Sequence, residues 1–341
     1  MGRNKRTPSK IISIKDVART AGVSIATVSR VINKLPSVKE KNRIQVLDAI
    51  KQLKFQPSVF AQRLATGKSN VVALVIPRYE GMFYSFYVLE LMRGIGTLCD
   101  VLKLDLLLNL TDARNVLNLR GIGGIIFADL IGNRQQLEEA LANDIPCVVI
   151  NNYVEDLDVS CITVDNIQGA EQAVSYLVSL GHRRIAHISG DVITQAAAER
   201  LEGYRRALKK AGIDIVEDYI FKTDYSRGHA RQAAEKMIDM PKAPSAVFVS
   251  SDSMALEVMA VAKEKGKEIP RDLSIVGFDD NPSGLYGPVA LTTVRQPLVQ
   301  MAQEAVKKLN NLMHQDKKQN PEKIRLPTEL VIRESCKPLS L

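Results

Sequence analysis

The sequence predicts two folds in one chain: an all-α module built on a helix-turn-helix, then an α/β body of two doubly wound parallel-sheet lobes. Three observations carry this. Residues 14–32 read as two short amphipathic helices about a glycine turn. From residue 70 onward, short apolar runs alternate with amphipathic helical stretches, the βα pattern of parallel sheets buried on both faces. Finally, residues 1–68 hold 15 Lys and Arg against 3 Asp and Glu, whereas residues 69–341 hold 31 against 35.

The first helix opens at Ser13, a good N-cap, with Asp16 placed to reach back in a capping box. Ile14, Val17, Ala18 and Ala21 fall on one face, and Gly22 ends the helix where left-handed geometry costs glycine little. Ser24 caps the second helix, whose Val28, Val31 and Ile32 point back at the first. What remains outward is Ile25, Ala26, Thr27, Ser29 and Arg30: small, apolar or hydroxylic groups and one guanidinium. A merely solvated face would carry Glu and Lys. The arrangement suits a helix entering a DNA major groove, with an amphipathic hairpin in some other core as the plainer alternative. The confined positive charge favours the first, since it implies local counterion release on a polyanion. A membrane surface would also attract such charge, but no basic amphipathic helix with Trp or Phe on one face accompanies it.

Residues 37–53 predict a third helix, with Ser37 and Glu40 as its capping box and Ile44, Leu47 and Ile50 buried. In residues 55–68, Pro57 opens a helix and Gly67 closes it after two turns. So short a helix is marginal alone. It is either a structured linker or a segment that folds only on DNA. Strands are then predicted at 71–76, 104–110, 124–127, 147–150, 184–188, 246–250, 273–278 and 324–332. Helices are predicted near 84–98, 134–143, 168–180, 196–211, 227–239, 252–265 and 297–314. The pattern restarts around Val164, Asp165 and Asn166, which suggests two lobes with a ligand cleft between them, at the carboxyl ends of the strands.

No apolar run approaches the ~18 residues of a membrane span. The N-terminus is basic but has no apolar h-region, so a cytoplasmic protein is expected. Four widely separated cysteines without a CxxC pair suggest reduced thiols, and neither a metal nor another cofactor is expected.

Residues 14–32, Ala61-Gln62-Arg63-Leu64, Val164-Asp165-Asn166, residues 180–186, Arg200-Leu201-Glu202-Gly203-Tyr204 and Gly277-Phe278-Asp279-Asp280 together resemble the LacI–GalR family of bacterial repressors. The resemblance runs in unbroken order over nearly the whole chain. It implies a DNA-binding headpiece (residues 1–56), a hinge helix and linker (57–69) and an effector body (70–341) similar to periplasmic sugar-binding proteins. The N-terminal lobe would take about 70–165 plus 296–324, and the C-terminal lobe about 166–295 plus 325–341. The family further implies a homodimer on a pseudo-palindromic operator, controlled by a small effector, here a sugar or sugar derivative. Nine residues after the last predicted strand hold no leucine heptad, which favours a dimer over a tetramer.

Carried over position by position, Ile25, Ala26 and Arg30 match the positions that read base edges, and Ser24, the cap of that helix, is counted with the DNA-binding residues. Thr27, Ser29 and Asn33 match positions that mainly touch phosphate or orient the helix. Ala61 lies in the hinge, and Leu64 matches the leucine levered into the minor groove. In the body, Arg200 and Asp279 match the pair that grips effector hydroxyls, and they are expected to face each other across the lobes. Asn151 and Ser251 align with further polar pocket positions where relatives often carry Asp or Asn. Phe83 and Tyr225 are candidate stacking faces. The aromatic segment 79–87 is longer than its counterpart in relatives, and stacking face, core and subunit contact all remain open for it. Residues 111–121 are too short for the usual helix there.

Two other classes compete. A solute-binding protein of sugar transport shares the body but would need a signal peptide and would lack residues 1–68. A dinucleotide enzyme would need GxGxxG on the first βα turn, whereas Gly121-Ile122-Gly123-Gly124 precedes a strand. His182, His187 and His229 form no acid/base set with a nucleophile. Asp279-Asp280 could suggest a metal, but with the matching Arg200, sugar hydroxyls are the better fit. An effector-controlled transcription factor, not an enzyme, is the reading that absorbs most of the chain.

Overall fold

The computed structural model describes residues 12–32, 36–55, 69–79, 81–112, 114, 116–314 and 320–339. The chain forms two compact units, residues 1–70 and 71–341.

In the first unit, helix α1 spans Ile14–Ala21, α2 Ile25–Ile32 and α3 Glu40–Leu53. Ser13 donates its backbone N–H and its hydroxyl to the Asp16 carboxylate, at 3.0 and 2.7 Å. Gly22 ends α1 at φ 64°, and its N–H turns back to the Ala18 and Arg19 carbonyls. Val17, Ala18, Ala21, Val28, Val31, Val46 and Ala49 form the core. Residues this small let three short helices approach closely, and burying each valine contributes about 1.5–3 kcal/mol.

Helix α3 departs from expectation. It begins at Glu40, with Lys39 and not Ser37 at its cap. Its inward stripe is Val46, Ala49, Ile50 and Leu53, so Ile44 and Leu47 are each 52% exposed. Residues 46, 49, 50 and 53 repeat at the helical period, whereas a stripe through 44, 47 and 50 drifts off that face.

The second unit holds two six-stranded sheets. The strands are β1 Val71–Pro77, β2 Asp105–Thr111, β3 Gly124–Ala128, β4 Cys147–Ile150, β5 Ser160–Val164, β6 Ile185–Ser189, β7 Ile220–Lys222, β8 Ala246–Val249, β9 Ser274–Asp279, β10 Thr292–Arg295, β11 Lys323–Leu326 and β12 Glu329–Val331. The helices are α4 Phe86–Leu102, α5 Arg134–Ala142, α6 Asn166–Ser179, α7 Gln195–Lys210, α8 Arg227–Ile238, α9 Asp252–Glu264 and α10 Leu298–His314. The N-terminal lobe has strand order β11-β5-β4-β3-β1-β2, and the C-terminal lobe β12-β10-β9-β8-β6-β7. Central strands such as β3 and β8 are buried throughout, as parallel strands covered on both faces must be.

The chain crosses between lobes three times: after β5, after β10 and after β11. The run 324–332, expected as one strand, is two: β11 pairs parallel with β5, and β12 antiparallel with β10. Pro327 falls between them, where the missing N–H ends a ladder and frees the chain to change sheets. Strands β5, β7 and β10 escaped the hydropathy pattern because they are short and mix Ser, Thr, Lys or Arg with apolar residues. Helix α7 packs on α6 so closely that a side chain at Gly203 would come within 2.4 Å of the Ile167 carbonyl. That contact fixes α7 one turn after Arg200.

Candidate functional site

The outward face of α2 is the first candidate. Ser24 Oγ accepts the Thr27 N–H at 3.1 Å and pairs with the Thr27 hydroxyl at 2.9 Å, so its side chain holds the start of the helix. Ile25 is 45% exposed, Ala26 and Arg30 are exposed, and Thr27 and Ser29 are half-buried, while Val28 and Val31 face the core. Arg30 makes no ion pair or hydrogen bond with another described residue. A guanidinium, a hydroxyl row and a methyl face without a single acid form a surface that matches phosphate and base edges. Asn33, Ala61 and Leu64 lie outside the described residues, as does the expected hinge helix.

The second candidate lies between the lobes. Asp129 follows β3, Asn151 follows β4, and Asp279 ends β9, all at the carboxyl ends of strands. Asp129, Asn151, Tyr225, Asp279 and Asp280 all have positive φ, at 67°, 65°, 66°, 127° and 58°. Such conformations cost non-glycine residues energy and persist where the surroundings impose them.

Arg200 projects from α7 and is 4% exposed. Its Nε donates to Asn166 Oδ1 at 2.9 Å and its Nη1 to the Ser250 carbonyl at 2.6 Å, and its guanidinium lies 3.8 Å over the Phe278 ring. Asp279 accepts the Gln296 amide N–H at 2.6 Å. Both residues belong to the C-terminal lobe, so they do not face each other across the cleft, and no ion pair joins them. They come close because α7 packs on the sheet at β6, two strands from β9 in the order β9-β8-β6.

The residue opposite Arg200 from the other lobe is Asp129, which the sequence reading missed although it stands at the end of a predicted strand. Asn151 donates to its carboxylate at 2.5 Å, and the Tyr87 phenol lies beside it. Burial raises the Asp129 carboxyl to about 6, against the opposing pull of Asn151, Tyr87 and the Arg200 charge. Asp279 is also raised by burial, opposed chiefly by Arg200. Tyr225 is raised by burial, with Arg200, Asp279 and Asp129 all acting on it, so it lies among groups of both lobes. Its ring rests on Gly190, where any side chain would collide with it.

Two further expectations shift. The Ser251 hydroxyl accepts the Met254 N–H at 3.3 Å and caps α9, and it is Ser250 that meets Arg200. Phe83 sits on the short turn Met82–Tyr84, is 56% exposed and makes none of these contacts. From the same segment Tyr79 and Tyr87 are the ones near Asp129. The Tyr87 hydroxyl and Gln296 Oε1 are buried with no hydrogen-bond partner among the described residues.

The histidines hold structure. His182 is buried between the Ser245 and Ser274 hydroxyls at 2.9 and 3.1 Å. His187 stacks between Tyr204 and Phe248, and burial lowers it to about 4. No cluster of three potential metal ligands occurs among the described residues. No helix of the described residues is long and apolar enough to cross a membrane.

Comparison with known proteins joins both sites. Residues 13–58 match the family described as bacterial regulatory proteins, lacI family, and residues 174–336 match the periplasmic binding protein-like domain. The chain is 34% identical over 339 residues to the HTH-type transcriptional regulator DegA of Bacillus subtilis (strain 168), covering 96% of this chain and 99% of that one. It is 32% identical to catabolite control protein A of Priestia megaterium, with the same coverage. Among solved structures, the lac repressor dimer bound to operator and the anti-inducer ONPF superposes with a TM-score of 0.84 at 25% identity, covering 96% of this chain and all of that one. The transcriptional regulator CelR–cellobiose complex gives 0.72 at 28% identity, covering 95% and 99%.

Proposed function

This chain belongs to the lacI family of bacterial regulatory proteins and is a DNA-binding transcriptional regulator, and on that premise we propose that it is a repressor whose grip on its operator is set by a small effector, a sugar or sugar derivative, bound between the lobes. The observation that carries the effector reading is the convergence of Asp129 and Asn151 from one lobe with Arg200, Tyr225 and Asp279 from the other. Arginine supplies a planar fork of donors and carboxylates supply acceptors, a set that fits hydroxyl groups. One similar structure holds cellobiose, which supports a carbohydrate for this cleft too.

On DNA, Ile25, Ala26 and Arg30 read base edges, Ser24, Thr27, Ser29 and Asn33 position the helix, and Ala61 and Leu64 belong to a hinge that wedges the minor groove. The active species is a homodimer. β2 is an edge strand of its sheet and leaves Leu106 and Leu107 36% and 43% exposed, with Val101 beside it at 66%, a surface that a second copy would cover. Ligand occupancy shifts the lobe arrangement, and the lobes in turn set the spacing of the paired hinges.

Two measurements test the reading. A thermal-shift screen of the full chain against sugars, sugar phosphates and nucleosides should return a compound that also changes operator affinity; a stabilising compound without effect on DNA binding refutes effector control. On a randomised operator library, substitutions of Ile25 or Ala26 should change base preference, and Arg30→Ala should cost about 1–3 kcal/mol if it contacts guanine bidentately. Unchanged preference for the Ile25 and Ala26 variants defeats the readout assignment.

A further inference from the structure

Resting on the carbohydrate reading above, we propose that the interlobe cleft selects an uncharged, hydroxyl-rich ligand and turns away its phosphorylated or carboxylated counterparts, with Gln296 as a specificity-determining residue. The argument is an inventory of charge and hydrogen-bonding capacity. Four acids lie at the rim of the C-terminal lobe or across from it, and two are already neutralised or sequestered. Asp280 is held by Arg295 at 2.6 Å and Arg333 at 2.5 Å. Asp252 is fully buried, accepting from the Thr293 hydroxyl at 2.6 Å and the Asn281 N–H at 2.7 Å. That leaves Asp129 and Asp279, with Arg200 as the cation whose charge acts on both.

Arg200 is itself largely engaged. Nε and Nη1 are bonded to Asn166 and Ser250, and the ring of Phe278 covers one face. Nη2 alone has no partner among the described residues. A phosphate or carboxylate prefers a bidentate arginine fork, and here the fork has one free tine with two carboxylates nearby. An anionic ligand would therefore meet more repulsion than attraction.

The unpaired atoms point the same way. Gln296 is 7% exposed, its N–H side is committed to Asp279, and its Oε1 has no partner. A buried acceptor left unpaired is costly, and a ligand hydroxyl that donates to it removes that cost. Beside the Asp279 carboxylate it forms a pure acceptor edge, matched by adjacent donor hydroxyls and repelled by an anionic oxygen. The unpaired Tyr87 hydroxyl on the other lobe adds a group that donates or accepts. Gln296 also stands on the crossover between β10 and α10, so the ligand would touch the connecting strand itself.

The test uses the purified full chain and matched probes: glucose, galactose, ribose and cellobiose beside glucose 6-phosphate, galacturonate, ribose 5-phosphate and cellobionate. Thermal shift comes first and isothermal titration follows on the responders. A neutral member should bind and its acidic counterpart should bind at least about 100-fold more weakly, the scale of an uncompensated like-charge contact. Asp129→Asn should bring the acidic counterpart within about tenfold. Gln296→Leu should weaken the neutral probe about tenfold; a merely structural role would lower the melting temperature and leave that affinity unchanged, which overturns the Gln296 assignment. An acidic probe that binds the wild type as well as its neutral counterpart overturns the selection alone. Silence from every probe, neutral and acidic alike, overturns the carbohydrate reading and the selection with it.

Discussion

The two lobes of the body repeat one strand order, yet they arm the cleft differently. On the C-terminal side the polar groups are locked within their own lobe: Arg200 to Asn166 and Ser250, Asp279 to Gln296. On the N-terminal side Asn151 donates to the Asp129 carboxylate, and the Tyr87 phenol lies beside it without a hydrogen bond of ordinary geometry to a described residue. The scaffold is duplicated and the chemistry is not. One lobe presents a preorganised face, the other one held by fewer bonds of its own. Preorganised groups lose little freedom on binding, whereas loosely held ones gain bonds when the lobes meet around a ligand.

Substitutions sharpen or break this contrast. Arg200→Ala should have the largest effect, destabilising the body by about 3 kcal/mol in urea unfolding, because it strands a buried amide oxygen and a carbonyl. It should also abolish the effector response. A stability loss below about 1 kcal/mol would mean that the C-terminal face is not locked. Asp129 comes next, through pH. Its folded carboxyl titrates near 6, above the ordinary 3.8, so the folded state holds the proton more tightly than the unfolded chain. Its contribution is full below about pH 4 and is lost as pH rises through 6, by about 3 kcal/mol in all. Asp129→Asn should flatten that part of the profile, and an unchanged pH dependence between 4 and 7 would remove Asp129 from the buried cluster. The smallest effect is expected for Tyr87→Phe. Ligand-free stability should stay within about 0.5 kcal/mol, since an unpaired buried hydroxyl is lost. Effector affinity should nevertheless fall. A large loss of ligand-free stability would show that the hydroxyl is paired after all and that the N-terminal face is locked too.

Much of this was legible in the sequence. Caps, the Gly22 turn and helical spacing fix α1 and α2 almost residue by residue, because those signals are local. The βα alternation is also local, and it gives the fold class. The family resemblance singled out Arg200, Asn151, Tyr225 and Asp279; in the structure Arg200 and Asn151 both act on Asp129, and Arg200 and Asp279 both act on Tyr225. What escaped depends on neighbours distant in sequence. Asp129 and Gln296 are unremarkable in their own windows and matter only because strand ends from two lobes meet. Ser250 and Ser251 differ by one position, and whether the first or second faces Arg200 is decided by where α9 begins. The burial of α3 failed for a related reason: both stripes are apolar enough, and only the packing of α1 and α2 chooses between them.

The change of sheets at Pro327 has a consequence for how the body is made. Each lobe has an edge strand, β11 or β12, supplied by the single short stretch 323–331. During synthesis neither sheet can be completed until that stretch has left the ribosome, although most of both cores has been translated long before. Such late, long-range closure slows folding and leaves strand edges open meanwhile. The helical unit at the other end has only neighbouring contacts to make and can form while the rest is still being translated. The regulator therefore completes its DNA-binding unit before it completes the two sheets of its body.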